Sequence, residues 1–314
     1  MRTQNLIENP FIPYSFQGME HDNEVKGEGN SVNYKYRMCD PRLGRFFAID
    51  PLAAKYPYNG PYNFSENRVI DCGELEGLEV YYAAEGTRLG QIGKSTEVRV
   101  INEERIKALG GQKNYMEALS KIKPNSETHL NWINSDKVSK KTGMNEAELF
   151  TRAFMSTLKQ TENGGNEALD YDDKHMVDGK IEKFTDFSDH PYRGKKGGTA
   201  AGAYQILLGT YDLYKKAYPE DILDFSALSQ DKLVLAILSR TGALNFIIKG
   251  DYKSANTKLT AKPEQFSSLP GGSQESVDKD EFDKLIKKNI SNELKGDTNI
   301  EIEQGELLKS NPDG

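Results

Sequence analysis

Residues 145–165 read NEAELFTRAFMSTLKQTENGG, and this stretch decides the fold of the C-terminal half. Asn145 followed three residues later by Glu148 is a helix N-cap signal, and Leu149, Phe150, Ala153, Phe154 and Leu158 recur at helical spacing. The helix is expected to stop at Asn163-Gly164-Gly165, where glycine takes the left-handed conformation that ends helices. Glu162 lies four residues after Leu158, itself four after Phe154, so its side chain follows the buried face. Burial disfavours a carboxylate, and so does the negative end of the helix dipole; both are expected to raise its pKa. A carboxyl group still protonated near neutral pH is what a general acid requires. Taken alone, a glutamate at a helix end reads first as a capping or salt-bridging group, ahead of a catalytic one.

Toward the C-terminus, Tyr204, Leu207, Leu208, Tyr211, Tyr214 and Tyr218 predict a second amphipathic helix. Residues 231–240 predict a third, apolar nearly all round, ending at Gly242 and central to the domain. A charged helix over 278–294 is expected on the outside. Between the first two helices, His175-Met176-Val177 and Lys180-Ile181-Glu182 flank Asp178-Gly179 and predict a short hairpin or lobe. The fold class expected is α+β, a mainly helical domain with a small β/loop lobe.

Toward the N-terminus, residues 83–143 are polar and mixed in charge. A helical stretch from Asn102 to Lys121 is interrupted at Gly110-Gly111, and the region reads as a linker or structural collar. Further back, Val32, Tyr34, Tyr36 and Met38 alternate at period two. Asp40-Pro41 and Gly44 supply a turn, and Phe46 to Ile49 a second strand. An isolated hairpin is marginally stable in water, so this piece is expected to belong to a larger β-assembly.

The chain has 314 residues and is 36% hydrophobic, enough for two domains of roughly 100–200 residues. Its longest apolar runs, such as Leu233 to Leu238, fall short of the ~18 residues that span a bilayer, so no membrane insertion is expected. MRTQNLIENP lacks the basic and apolar regions of a Sec signal peptide. Cys39 and Cys72 have no metal or redox spacing, so no metal or cofactor is expected. A formal charge of −7 argues against nucleic acid as a partner, because phosphate binding depends on clustered Lys and Arg.

NYKYRMCDPRLGRFFAIDPLAAKYPYNGPYNFSENRVID, from Asn33 to Asp71, resembles the terminal segment of Rhs/YD-repeat proteins. That resemblance implies the end of a β-cocoon shell followed by a toxin domain. It further implies a secreted or injected effector acting in the periplasm of a target cell, the rest of the shell, a secretion apparatus and a cognate immunity protein. Relatives cut themselves at an Asp-Pro-x-Gly after this segment; here the place reads IDCGELEG, Ile70 to Gly77, without the proline.

A second resemblance covers about 145–294. FTDFSDHP (Phe184 to Pro191), GTAAGAYQILLGTYDLY (Gly198 to Tyr214), FSALSQDKLVLAILSRTGAL (Phe225 to Leu244) and FSSLPGG (Phe266 to Gly272) are similar, in order and spacing, to the bacteriophage lambda endolysin family. The resemblance implies a lysozyme-like fold, a lytic transglycosylase of peptidoglycan glycan strands, and Glu162 as catalytic acid/base. Gly202, Tyr204 and Gln205 match the family's Gly-x-Tyr-Gln segment, with Ala203 where relatives usually carry arginine. Gly202 is expected to allow close backbone approach to sugar, and Gln205 to bond an acetamido group or Glu162. Tyr204 reads as core or site. Asp186, Ser188, Asp189 and His190 are placed on the lobe, with turn-forming hydrogen bonds as the competing role for the cluster. Phe266 reads as a sugar-stacking ring or as core.

The chain divides as 1–82, a shell segment; 83–144, a linker or collar; 145–295, the catalytic domain; and 296–314, a polar tail. One alternative is a true lysozyme with a second carboxylate from Asp172, Asp173 or Asp178. Others are an inactive wall-binding module and a nuclease, whose basic groove and metal or histidine site are not seen in the sequence.

Overall fold

The computed structural model describes residues 20–21, 31–33, 38–40, 43, 45–48, 79–93, 95–124, 126–133, 139–175, 180–195, 200–261, 263 and 265–312. The chain forms two units, Met1–Glu76 and Gly77–Gly314.

In the first unit, β1 (Glu20–His21), β2 (Val32–Asn33), β3 (Met38–Asp40) and β4 (Arg45–Phe46) pair antiparallel in sequence order. Cys39 faces Phe46 and Asp40 faces Arg45, so the hairpin expected around Asp40-Pro41 forms, with the Leu43 amide donating to the Asp40 carbonyl. The stretch Val32 to Met38 is not one strand, however: Val32 pairs with Cys39 and Asn33 with Met38, so the chain reverses between them. Most of the shell-like segment, and the whole of 70–77, lies outside the described residues.

The second unit begins with a four-stranded sheet of order β6-β5-β7-β8: β5 (Glu79–Ala83), β6 (Arg88–Ile92), β7 (Glu97–Ile101) and β8 (Ser139–Asn145). β5 and β7 are parallel and the other pairs antiparallel. Side chains alternate across a strand. Val80, Tyr82 and Val98 therefore join the main core, while Tyr81, Ala83, Leu89, Ile92 and Ile101 pack under α1 (Glu103–Ala108) and α2 (Gln112–Ser120). α3 (Glu127–Ile133) precedes β8. The region expected to be a linker or collar is thus an ordered layer with its own core. Glu79 and Arg99 are buried as an ion pair at 2.6 Å, with the Tyr81 hydroxyl donating to Glu79. Asn102 caps α1, and Gly110-Gly111, both at positive φ, separate α1 from α2.

β8 runs into α4 (Glu146–Thr161) through the expected cap, in which Asn145 Oδ1 accepts the Glu148 amide at 2.8 Å. Nearly every residue of α4 is buried, because β5 and β7 cover one side, α9 (Lys279–Lys295) another and the C-terminal segment a third. α6 (Ala227–Arg240) is the buried apolar helix expected, capped by Ser226. The small lobe is a sheet of order β10-β9-β11-β12: β9 (Asp173–His175), β10 (Ile181–Lys183), β11 (Ala200–Ala201) and β12 (Ile206–Leu207). β9 and β10 form the hairpin read from the sequence; its turn, 176–179, lies outside the described residues. The second helix is shorter than its tyrosine periodicity suggests. α5 starts at Leu208 (Leu208–Ala217), and Tyr204 sits in the turn before β12. α7 (Leu244–Ile247) and α8 (Tyr252–Thr260) complete the domain.

The polar C-terminal segment is also built in. After Gly296, left-handed at φ 81°, residues 298–305 lie along α4 and bury Ile300 and Ile302. Arg152 donates to the Ile302 carbonyl at 2.7 Å, Lys159 to the Asn299 carbonyl at 2.5 Å, and the Gly305 amide to Glu148 at 2.8 Å. The segment binds through main-chain groups, which side-chain patterns do not reveal.

Candidate active site

Glu162 follows the last residue of α4 and is its C-cap, its amide still donating to the Leu158 carbonyl at 3.0 Å. The chain then turns through Gly164 and Gly165, both at positive φ. A Cβ on Gly165 would stand 2.8 Å from Val277, so a larger residue would push the 277 segment off the helix end. That segment returns from α8 through Phe266 to Val277. The Ser276 amide donates to the Ser268 carbonyl at 3.0 Å, and the Ser276 hydroxyl to the Thr161 carbonyl at 2.6 Å. The loop is thereby pinned to the end of α4, which places Ser268 Oγ 2.5 Å from Glu162 Oε1.

Glu162 is half-buried and its pKa is pushed up to about 7. Burial is the cause, opposed by the Ser268 hydrogen bond, which favours the ionised form. Among the described residues Ser268 is the carboxyl's hydrogen-bond partner, and it engages Oε1; Oε2 carries no hydrogen bond to them. A carboxyl at the rim of the core, half protonated near neutrality with one oxygen held and the other open, can donate a proton and take one back.

The other expected site residues have different places. His190 is 1% exposed. Its Nε2 lies 2.9 Å from the Ile206 carbonyl and its Nδ1 accepts the Tyr192 amide, while Phe225 and Tyr211 pack on its ring. Both nitrogens are engaged within the fold, so His190 anchors the lobe and does not face a ligand. Asp186 is exposed, and its carboxylate accepts the amide and hydroxyl of Ser188 within a turn; those bonds hold its pKa below the usual range. Phe266 is 4% exposed and belongs to the core, as does Tyr204, whose hydroxyl donates to Asp231 at 2.6 Å. Gly202 (φ 79°) is needed for packing: a Cβ there would stand 2.0 Å from the Gln230 oxygen that accepts the Ala203 amide. Gly202→Ala is therefore expected to lower stability by about 1–3 kcal/mol, read as a fall in Tm, even with glycan absent.

Gln205 stands apart. It is the non-glycine residue at positive φ (47°) among the described residues, a conformation that costs of order 1–3 kcal/mol. Its Nε2 donates to the Gly202 carbonyl at 2.8 Å, and its buried Oε1 has no hydrogen-bond partner among the described residues.

Two features were not read from the sequence. One is Ser268, two residues after the aromatic that drew attention. The other is a buried group around Asp231, which accepts the hydroxyls of Tyr171 and Tyr204 and lies 3.9 Å from Lys159. Lys159 stands over the Tyr171 ring at 3.8 Å, and burial pushes its pKa down to about 8. Asp172 and Asp173, offered as second carboxylates, converge with Asp170 on the Lys183 ammonium at 2.7, 3.1 and 2.7 Å. Asp178 lies outside the described residues.

A family model described as Endolysin matches residues 152–292, the segment that carries Glu162, Gln205 and Ser268. The endolysin of Escherichia phage P2 is 35% identical over 135 residues, 38% of this chain and 78% of that protein. This chain belongs to the endolysin family. Among solved structures, the bacteriophage lambda lysozyme complexed with a chitohexasaccharide is 34% identical, covering 45% of this chain and 92% of that one, with a TM-score of 0.36. A second solved structure, lysozyme from bacteriophage lambda, is 32% identical over 46% of this chain and 91% of its own, at 0.34. The endolysin match leaves out β5 to β8 and the C-terminal segment, which the fold nevertheless wraps around α4.

Proposed function

We propose that this endolysin cleaves peptidoglycan glycan strands at the β-1,4 bond between N-acetylmuramic acid and N-acetylglucosamine, as a lytic transglycosylase with Glu162 as general acid and base. The observation that carries the reading is the Glu162 carboxyl itself, half-buried at a helix end with its pKa pushed up to about 7 and Oε2 open. Glu162 gives its Oε2 proton to the bridging oxygen as the C1–O bond breaks. The resulting carboxylate takes the proton of the C6 hydroxyl of the same muramic residue, whose oxygen bonds to C1. Glu162 is again protonated, and the product carries a 1,6-anhydro ring. The nucleophile is part of the substrate, so one enzymic carboxyl suffices.

Two observations support this over hydrolysis through a second carboxylate: Asp172 and Asp173 are paired with Lys183, and among the described residues no carboxylate charge acts on Glu162. The experiment is mass spectrometry of digested sacculi. Anhydromuramic ends support the transglycosylase, whereas reducing ends make the enzyme a muramidase. In the same reading the buried Oε1 of Gln205, which has no hydrogen-bond partner among the described residues, becomes the acceptor of an acetamido N–H when the glycan docks, and the exposed Asp186 contacts the glycan from the lobe.

The pH dependence follows from the direction of the Glu162 shift. The acid form starts the reaction, so kcat/KM is expected to be level below pH ~6 and to fall through about pH 7, tenfold per unit above it. A rate that rises through pH 7 would exclude Glu162 as the proton donor.

The Asn33–Asp71 resemblance supports a wider reading: the enzyme is the cargo of an Rhs-type shell, injected by a secretion apparatus into a target periplasm and neutralised in the producer by an immunity protein. Expression directed to the periplasm is then expected to lyse cells, while cytoplasmic expression is tolerated; the reverse result would remove a wall target.

A further inference from the structure

The end of α4 and the 266–277 loop meet in a chain of hydroxyls. Ser268 Oγ lies 2.5 Å from Glu162 Oε1 and 3.2 Å from Thr161 Oγ1. Thr161 gives its own hydrogen to the Leu158 carbonyl at 2.9 Å, so toward Ser268 it offers only a lone pair. Ser268 has one hydrogen to place, and the shorter contact directs it at Glu162. The serine is itself held: it is buried, and its carbonyl accepts the Ser276 amide while Ser276 bonds the Thr161 carbonyl.

We propose that Ser268 is the positioning residue of Glu162: its hydroxyl occupies Oε1 and so makes Oε2 the oxygen that delivers the proton to the glycosidic bond and recovers it from the C6 hydroxyl. A proton on Oε1 would meet the Ser268 hydrogen head-on. It is accommodated only if Ser268 swings that hydrogen to Thr161, which exchanges the 2.5 Å contact for the 3.2 Å one. The acid is therefore kept in the tautomer whose proton points away from the loop. The carboxylate formed after the first transfer gains more from the same hydrogen bond, because hydrogen bonds to charged acceptors are the stronger ones. Burial and Ser268 are the two influences on Glu162; no charged side chain of α4 or of the 266–277 loop adds to them.

This inference rests on the Glu162 reading, and its test separates the two. The full chain is compared with Ser268→Ala, Ser268→Thr and Ser268→Cys, the last filling the same space with a weaker donor. Two quantities are measured: the pH profile of kcat/KM on sacculi, and the ¹³C NMR titration of the Glu162 carboxyl, assigned by difference with Glu162→Gln. Ser268→Ala is expected to lose roughly tenfold in rate at pH 6 and to move both the alkaline limb and the NMR titration upward by roughly one pH unit. Ser268→Cys moves them the same way, and Ser268→Thr restores most of both. A serine that merely held the loop would lower the rate equally at every pH and leave the titration in place, which would overturn the proposal. Were Glu162→Gln to remain active, the functional reading would fall, yet the NMR titration would still report whether Ser268 holds the carboxyl.

Discussion

Glu162→Gln is expected to reduce glycan cleavage by roughly 10³-fold or more while leaving the fold intact. General acid–base catalysis contributes about 10²–10⁴-fold, and here one group serves in both proton transfers, so the loss falls at the upper part of that range. Glutamine keeps the size of the side chain and can still accept from Ser268 Oγ, but it has no proton to give. The substitution also carries a stability signature that an unrelated surface glutamate would not show. The folded-state pKa of Glu162 is raised from 4.5 to about 7, so the stability linked to this group is fully present below pH 4.5 and is lost as the pH rises through 7. Glutamine does not ionise. The variant is therefore expected to match the wild type in Tm near pH 4.5 and to exceed it increasingly up to about pH 7, with the difference level above that. Zymogram clearing at the wild-type level would end the mechanism, and a pH-independent Tm difference would remove the buried acid on which it depends.

How much of this was legible in the sequence depends on whether the signal was local. The Asn145 cap, the Phe154–Leu158–Glu162 spacing and the Gly164-Gly165 stop lie within twenty-one residues, and each is an intrinsic preference of the backbone, so α4 and the position of Glu162 could be read directly. The β9–β10 hairpin was equally local. β5 to β8 were not read, because both faces of β5 are covered and one carries the buried Glu79–Arg99 pair. Neither alternation nor a simple apolar run survives there. The family resemblance offers His190, Tyr204 and Phe266 as glycan contacts, with core packing as the competing role of the two aromatics. Which role holds depends on the element lying opposite, and the structure sets Ile206 against His190, Asp231 against Tyr204 and the main core around Phe266. Ser268 was invisible for the opposite reason: a serine within FSSLPGG looks like any loop residue until the loop is folded back onto Thr161 and Glu162.

The largest stability effect is expected at Arg152. Its side chain is fully buried, with Nε 2.9 Å from Glu293 and Nη1 3.3 Å from Glu148. Its remaining donors reach Thr298 Oγ1 and the carbonyls of Ile302 and Glu303. Arg152→Met removes the cation and leaves two buried carboxylates without their counter-charge, a change that costs about 3–5 kcal/mol. At about 2–4 °C per kcal/mol for a unit of this size, Tm is expected to fall by roughly 6–20 °C. The loss should shrink as the pH is lowered, because protonating the stranded carboxylates relieves them. Adding Glu148→Gln and Glu293→Gln removes both stranded charges and is expected to recover part of the stability at neutral pH. Full recovery is not expected, because the carbonyls of Ile302 and Glu303 would still lack the donors that tie the C-terminal segment to α4. Amide exchange should then show residues 298–305 opening in the triple variant ahead of α4 itself. If the triple variant instead regained the wild-type Tm with the segment fully protected, the arginine would matter only as a counter-charge, and the segment would be held by Ile300, Ile302 and Lys159 without it.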